Sequence, residues 1–169
     1  MITEEDLLDA RTNNFILAMN RRDARIGLAC LDISTGVFRL TETDRLPRAL
    51  EEAQRIDPRE ILLPEEDVEQ ALGESVARRF AERTITPQAL EHFASAHGRE
   101  RLLKLFNTFS LAGFGCEDLH VGVGAAGASL LHLFDQRLLH ALGYALLAAA
   151  VPVFGVGVVR FLKVRRMLK

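Results

Sequence analysis

The spacing of apolar residues changes once along the chain, and this change limits the folds open to it. Short apolar runs come first, at Phe15 to Met19, Ile26 to Asp32 and Val37 to Leu40. The last two runs flank Ser34-Thr35-Gly36, a polar turn that ends in glycine, so we expect them to form an antiparallel hairpin. The core is therefore predicted to begin with strands.

After the hairpin, apolar residues recur at helical spacing. The stretch from Leu46 to Ile56 predicts a helix with its charged residues facing outward. Ile61 to Leu63 follows as a short buried strand closed by Pro64, and Val68 to Leu72 predicts a helix that Gly73 ends. Strands first, followed by alternating helices and strands, indicate the α/β class, with helices packed on a mixed sheet.

Five more segments complete the prediction. Thr3, followed by three acidic residues, is a helix start, because a hydroxyl cap and acids favour the positive end of the helix dipole. Leu90 to Phe93 and Leu102 to Phe106 are predicted helical, and Val121 to Leu133 predicts a strongly apolar helix. Arg78 to Ile85 is ambiguous and is interpreted as a helix followed by a strand.

The composition is that of one globular domain in a reducing compartment. A chain of 169 residues, 49% apolar and 26% charged, can bury a core of its own. Cys30 and Cys116 are too few for a disulfide scaffold. Acidic residues at positions 4–6 stand where a signal peptide would be basic. We therefore expect a cytoplasmic protein.

The net charge of −2 conceals an uneven distribution. Residues 1–137 contain 16 basic and all 23 acidic residues, a balance of −7, whereas residues 138–169 contain five basic residues and no acid. Affinity for the phosphate backbone comes mainly from clustered Lys and Arg, so the acidic part is a poor nucleic-acid binder by itself. If the protein works with DNA, other domains or subunits must supply the affinity for it.

Gly122, Gly124 and Gly127 spell G-x-G-x-x-G, the pattern of a dinucleotide-binding turn. Such a site needs a buried strand before the glycines and an acid about 20 residues later. No such strand precedes them, and no acid follows Asp135. The pattern therefore predicts close helix packing. Because the chain also lacks G-x-x-x-x-G-K-[ST], no ATP site of that type is expected.

Asp32 stands at the end of a hairpin strand, where metal-dependent nucleases of the ribonuclease H type place a carboxylate. Two-metal chemistry needs several acids that converge on cations about 4 Å apart. Glu60, Glu117 and Asp118 are the other candidates. A nuclease is therefore kept as the alternative function, but the preferred role of Asp32 is to order its turn.

The remaining polar residues form no recognisable catalytic or metal-binding pattern. Histidines lack cysteine or histidine partners at ligand spacing, and neither cysteine has a histidine and an acid in a nucleophile arrangement. Two basic pairs are interpreted as solvated surface. These residues are His92, His97, His120, His132, His140, Cys30, Cys116, Arg21, Arg22, Arg78 and Arg79. We predict no enzyme activity, no cofactor and no catalytic or metal-binding residue.

Five segments in order resemble a known family. They are "TEEDLLDARTNNF" (Thr3 to Phe15), "GLACLDISTGVFRLTE" (Gly27 to Glu42), "DPREILLPE" (Asp57 to Glu65), "LAGFGCEDL" (Leu111 to Leu119) and "AAGASLLHL" (Ala125 to Leu133). The series is similar to the connector region, domain II, of the DNA mismatch-repair protein MutS. The likeness covers residues 2–136, so the chain resembles a truncated fragment of that protein.

This resemblance implies a ribonuclease H-like α/β fold without the nuclease carboxylates. It also implies a module that links the mismatch-binding and ATPase parts of a MutS protein and contacts the partner MutL. The family binds mismatched DNA through a Phe-x-Glu motif of the preceding domain, which the likeness does not reach, and ATP through a P-loop, a pattern that this sequence lacks. The implied partners are other MutS domains or subunits and MutL, and DNA only through parts absent here.

The resemblance ends at Gln136. Residues 138–159 carry no formal charge over 22 positions, a length that would just span a bilayer, and basic residues follow. Pro152, several glycines and His140 weaken that interpretation. The predicted organisation is a connector domain at 1–137 and an apolar helix with a basic tail at 138–169. A transmembrane segment at 138–162, a frame-shifted tail and a partner-binding helix all stay open, with membrane association as the alternative localisation.

Overall fold

The structure, a computed structural model, describes the backbone of residues 14–147 and the side chains of residues 14–136. The helix predicted to start at Thr3 lies outside the described residues, as do residues 148–169 of the apolar and basic tail.

Five strands form one mixed sheet. The strands are β1 (Phe15–Arg22), β2 (Arg25–Asp32), β3 (Phe38–Thr43), β4 (Glu60–Pro64) and β5 (Thr84–Gln88). Their order across the sheet is β3-β2-β1-β4-β5. Strands β1, β2 and β3 pair antiparallel, whereas β4 pairs parallel with both β1 and β5. The predicted antiparallel hairpin and the mixed sheet are confirmed.

Helices cover both faces of the sheet. They are α1 (Leu46–Ile56), α2 (Glu65–Val68), α3 (Ala71–Arg79), α4 (Ser95–Phe106) and α5 (His120–Leu147), with 3₁₀ turns at Leu90–Phe93 and Ala112–Phe114. Because side chains alternate along a strand, Leu17 and Met19 pack on the side of α1 and α3. Ile16 and Ala18 pack on the opposite side, in the core shared with α4 and α5.

The turn between β1 and β2 was missed from the sequence. Arg22 pairs with Arg25, so only Asp23 and Ala24 form the turn, and Asp23 adopts a positive φ of 51°. Apolarity predicted that β1 stops at Met19, because the residues that extend the strand are polar: Asn20, which is buried, and Arg21 and Arg22, which are exposed. Strand pairing continues past the point where the apolar pattern ends.

The prediction that Gly73 ends a helix is wrong. Helix α2 ends at Val68, and Gly73 lies within α3. A Cβ on Gly73 would stand 2.5 Å from the carbonyl oxygen of Asp67, so the glycine permits close packing of α3 against α2. Glycine is found at such close approaches as well as at helix ends, and spacing alone does not distinguish the two.

The ambiguous stretch from Arg78 to Ile85 contains the end of α3, a loop and the start of β5. The apolar helix predicted from Val121 to Leu133 is confirmed within α5, which continues through the proposed domain boundary at residue 137 to Leu147. Within residues 14–147, no helix is long and apolar enough to cross a membrane. The division into 1–137 and 138–169 stays a prediction.

Candidate functional site

The glycine motif lies in the first turns of α5, where it packs the helix against its neighbours. A Cβ on Gly124 would overlap the carbonyl oxygen of Phe93, and one on Gly127 would overlap the Cα of Gly98. Gly122 is different, since a Cβ there would meet Glu42 Cγ at an ordinary 3.5 Å. The predicted role in close helix packing is therefore confirmed for the second and third glycines.

The amino end of α5 is capped by a carboxylate from the edge strand β3. Glu42 Oε1 accepts hydrogen bonds from the backbone N–H groups of Val121, at 2.6 Å, and Gly122, at 2.9 Å. A bound pyrophosphate would use these same donors at a helix amino end. Glu42 therefore already provides the negative charge that this end of the helix favours. Sequence reasoning missed this residue, because the cap joins distant parts of the chain.

Asp32 lies at the end of β2 and accepts hydrogen bonds from Ser34 and Thr35, in the turn that follows the strand. Its Oδ1 accepts from the Ser34 backbone N–H at 2.9 Å and from the Ser34 hydroxyl at 2.6 Å, and Thr35 donates through its backbone N–H and its hydroxyl. Burial acts to raise the pKa of Asp32, but these hydrogen bonds outweigh burial and hold the pKa below its ordinary value. The predicted turn-ordering role is confirmed.

Glu60 belongs to a polar cluster between the sheet and α5. Its Oε1 accepts a hydrogen bond from the Thr86 hydroxyl at 2.6 Å and lies 3.0 Å from His132 Nε2. His132 also contacts the Gln88 and Gln136 amides. The Glu60 and His132 side chains are only 17% and 10% exposed. The polar groups of this cluster therefore bond mainly to one another and little to solvent.

Glu117 has a third, separate set of partners. Its carboxylate accepts from the Leu111 backbone N–H at 2.8 Å and the Ser110 hydroxyl at 3.1 Å, and it pairs with Arg99 at 2.6 Å. The three acids thus order a turn, a sheet–helix contact and a loop. Among residues 14–136, no group of three His, Cys, Asp or Glu side chains could hold a metal ion.

The histidines near the 3₁₀ turn contact neighbouring residues. His92 Nδ1 lies 3.0 Å from Gln88 Oε1, and His97 Nδ1 lies 3.3 Å from the carbonyl oxygen of Glu91. His120 is exposed. The side chain of His140 lies outside those described.

Both cysteines are buried thiols. Burial raises the pKa of Cys30 to about 12 and raises the pKa of Cys116 above its ordinary value. Because the thiolate is the reactive form, neither is suited to act as a nucleophile at neutral pH.

A family model described as MutS domain II matches residues 14–142, more than half of the chain. The chain belongs to the MutS domain II family. The resemblance found in the ordered motifs is thereby confirmed, although the match begins at residue 14, near the end of the first motif, and continues six residues past Gln136.

Relatives of this MutS domain II chain include proteins described as DNA mismatch repair protein MutS. The protein from Desulforapulum autotrophicum is 43% identical over 82% of this chain, and that from Desulfosudis oleivorans is 36% identical over 81%. The chain spans only 16% of the length of either relative. Among solved structures, the large terminase nuclease from thermophilic phage G20c is 14% identical and covers 56% of this chain and 53% of its own. The TM-score of this likeness is 0.38.

Proposed function

We propose that this MutS domain II chain is the connector module of a MutS-type mismatch-repair protein. The family match over residues 14–142 carries the proposal. In this role the domain links the mismatch-binding and ATPase parts of the larger protein and contacts MutL. Its compartment would be the cytoplasm.

We also propose that the sheet is of the ribonuclease H-like type. The antiparallel β1-β2-β3 unit comes first in the chain, and the parallel strands β4 and β5 extend the sheet from β1. This order supports the proposal. The carboxylates of Asp32, Glu60 and Glu117 have separate structural partners, which favours a linking role over a catalytic one.

The partners proposed for this module are other MutS domains or subunits and MutL. DNA and ATP would be bound by other parts of the larger protein, consistent with the −7 balance of residues 1–137. The division into a connector at 1–137 and an apolar segment with a basic tail at 138–169 is also kept as a proposal, with membrane contact through residues 138–162 as its alternative.

A domain exchange tests the connector role. Residues 14–142 of this chain replace the matching domain in the MutS relative from Desulforapulum autotrophicum, and the chimera is expressed in a strain without MutS. We expect the chimera to lower the mutation rate to near that of the intact relative, provided that the relative itself is active there. A version with the domain deleted serves as the negative control. A chimera that is folded and abundant but behaves like the deletion would contradict the proposal.

The MutL contact needs a separate measurement. The chain is titrated with MutL from the same organism, and we expect saturable binding that an unrelated protein of similar charge does not show.

Plasmid incubated with the chain and Mg²⁺ or Mn²⁺ should remain uncut. Cleavage that disappears in the Glu60→Gln or Asp32→Asn variant would instead support the nuclease alternative.

A further inference from the structure

A cleft of about 440 Å³ opens where α1 and α3 end, beside the loop that leads to β5. Arg78, Arg79 and Arg83 line it, together with Asp57 and Glu82. The sequence shows only a basic pair followed four residues later by another arginine, which is ordinary for a solvated surface. The fold brings all three guanidinium groups to one concave surface.

Two of the three arginines are oriented by residues of α1 and its cap. Arg79 Nη1 donates to Gln54 Oε1 at 3.3 Å, and Arg83 Nη2 donates to Asp57 Oδ1 at 2.7 Å. A guanidinium group has five N–H donors, so each arginine keeps donors for a ligand. Because a held guanidinium has already lost part of its freedom, binding through it costs less entropy.

The local charge favours one kind of ligand. Three arginines and two acidic residues line the cleft, a balance of one positive charge within a part of the chain that carries −7. A single carboxylate would neutralise the cleft. A phosphate dianion would leave excess negative charge near the carboxyl ends of α1 and α3, where the helix dipoles already place partial negative charge. The Asp57–Arg83 pair shows that a carboxylate fits among these arginines.

We propose that this cleft is a docking site for an acidic segment of a partner protein, of which one Asp or Glu carboxylate enters the cleft and binds Arg78 and Arg79 while the others stay in solvent. Guanidinium groups hold carboxylates through two parallel hydrogen bonds, which gives the contact direction as well as charge. The inference stands on the cleft itself and does not require that the partner be MutL. Failure of the MutL experiment would therefore leave it intact.

The test uses the full chain and a hexaglutamate peptide with blocked ends. Binding is followed by NMR, through the guanidinium Nε–H signals of the arginines and the backbone amides of residues 78–83. We expect saturable shifts at the cleft that weaken as salt is added. Replacing both Arg78 and Arg79 by Ala should weaken binding about tenfold, because each lost charge contact is worth up to about 1 kcal/mol.

A matched control removes the same charge elsewhere. Arg25 and Arg39 are exposed arginines on β2 and β3, and the R25A/R39A variant should bind the peptide within about twofold of the original. The R78K/R79K variant keeps the charge but loses the paired donors, so its affinity should fall between the two. Thermal melting of each variant shows whether the fold is retained.

Four outcomes would overturn the proposal. The cleft signals fail to move at millimolar peptide, or a hexaglutamine peptide moves them equally. The R78A/R79A and R25A/R39A variants lose the same affinity, which would mean that only the total charge of the protein matters. Finally, inorganic phosphate or a DNA duplex shifts the cleft signals at lower concentration than hexaglutamate, which would assign the site to phosphate groups.

Discussion

Asp32 and Asp67 show how the surroundings of a carboxylate decide its role. Asp32 accepts four hydrogen bonds from Ser34 and Thr35, which favour its charged form. Asp67 is also buried, but its main contact is one long hydrogen bond of 3.4 Å from the Arg21 backbone N–H. Burial therefore raises the pKa of Asp67, against the lowering effect of that bond. The contributions of the two carboxylates to the free energy of unfolding should therefore change in opposite directions as the pH changes.

Replacing Asp32 by Asn should lower the free energy of unfolding at pH 7 by about 1–3 kcal/mol, because one acceptor oxygen replaces two and donors lose their partner. The folded-state pKa of Asp32 is lowered, so its contribution is present above the unfolded pKa and lost as pH falls through the folded pKa. The difference between variant and original should thus shrink in acid. Urea unfolding from pH 7 down to pH 3 measures this. A difference that stays constant across that range would be inconsistent with the charged role.

Replacing Asp67 by Asn should have the opposite effect. Because the folded-state pKa of Asp67 is raised, stability falls as the pH rises above the unfolded pKa, and the full loss is present above the folded pKa. Asn keeps an oxygen for the Arg21 N–H and carries no charge, so the variant should unfold at higher urea concentration at pH 7 and gain little below the unfolded pKa. Glu66→Gln, which removes a neighbouring charge that is half exposed, is the matched control and should change stability much less. A loss of stability in Asp67→Asn would contradict the argument.

Helix α5 shows how one element depends on several others. Its amino end is capped by Glu42 of β3, and its second turn approaches Phe93 and Gly98. Gly27 of β2 lies beneath the same end, where a Cβ would stand 2.5 Å from the Gly122 backbone nitrogen. Contacts with three separate segments set the position of the helix, and two of them require a residue without a side chain.

The glycines of the motif should respond differently to the same substitution. Gly124→Ala should destabilise the protein by about 1–3 kcal/mol, because its Cβ meets backbone that has to move. Gly122→Ala adds a Cβ at ordinary contact distance, and alanine is preferred over glycine within a helix by about 1 kcal/mol. The second variant should therefore be neutral or more stable. Thermal and urea unfolding of both variants compare them, and equal losses would argue against the packing role.

Replacing Glu42 by Ala should cost about 1–2 kcal/mol, since two backbone donors at the start of α5 lose their acceptor. Glu42→Gln keeps an acceptor oxygen but not the charge and should recover most of the loss. Amide hydrogen exchange locates the effect, which should be largest in the first turn of α5. Equal protection of that turn in the original and Glu42→Ala proteins would show that the cap is unimportant.

At the scale of the whole molecule, the net charge and the family favour a domain that works through contacts with proteins. Residues 1–137 carry a balance of −7, and the chain spans only 16% of the length of the relatives from Desulforapulum and Desulfosudis. The arginine cleft at the ends of α1 and α3 locally reverses this charge. Protein contacts therefore suit the domain better than direct contacts to phosphate.

The acidic part should bind duplex DNA only weakly and without preference for a mismatch. We expect residues 1–137 to show no submicromolar affinity at physiological salt, because few lysines and arginines are clustered there to displace counterions. Fluorescence anisotropy with matched and mismatched duplexes, at two salt concentrations, tests this. A salt-sensitive submicromolar affinity would overturn the prediction.

By itself, the sequence determined the first four strands, most of the helices and the family to which the chain belongs, since apolar spacing and ordered motifs are local properties. It predicted the β2–β3 hairpin and the glycine packing, but missed the β1–β2 turn and misplaced the end of a helix at Gly73. Only the tertiary structure decided the partners of the carboxylates and the clustering of Arg78, Arg79 and Arg83. Glu42 and Val121 are 79 positions apart. Such contacts form because the sheet and helices bring distant residues together, so a pattern of neighbouring residues in the sequence cannot predict them.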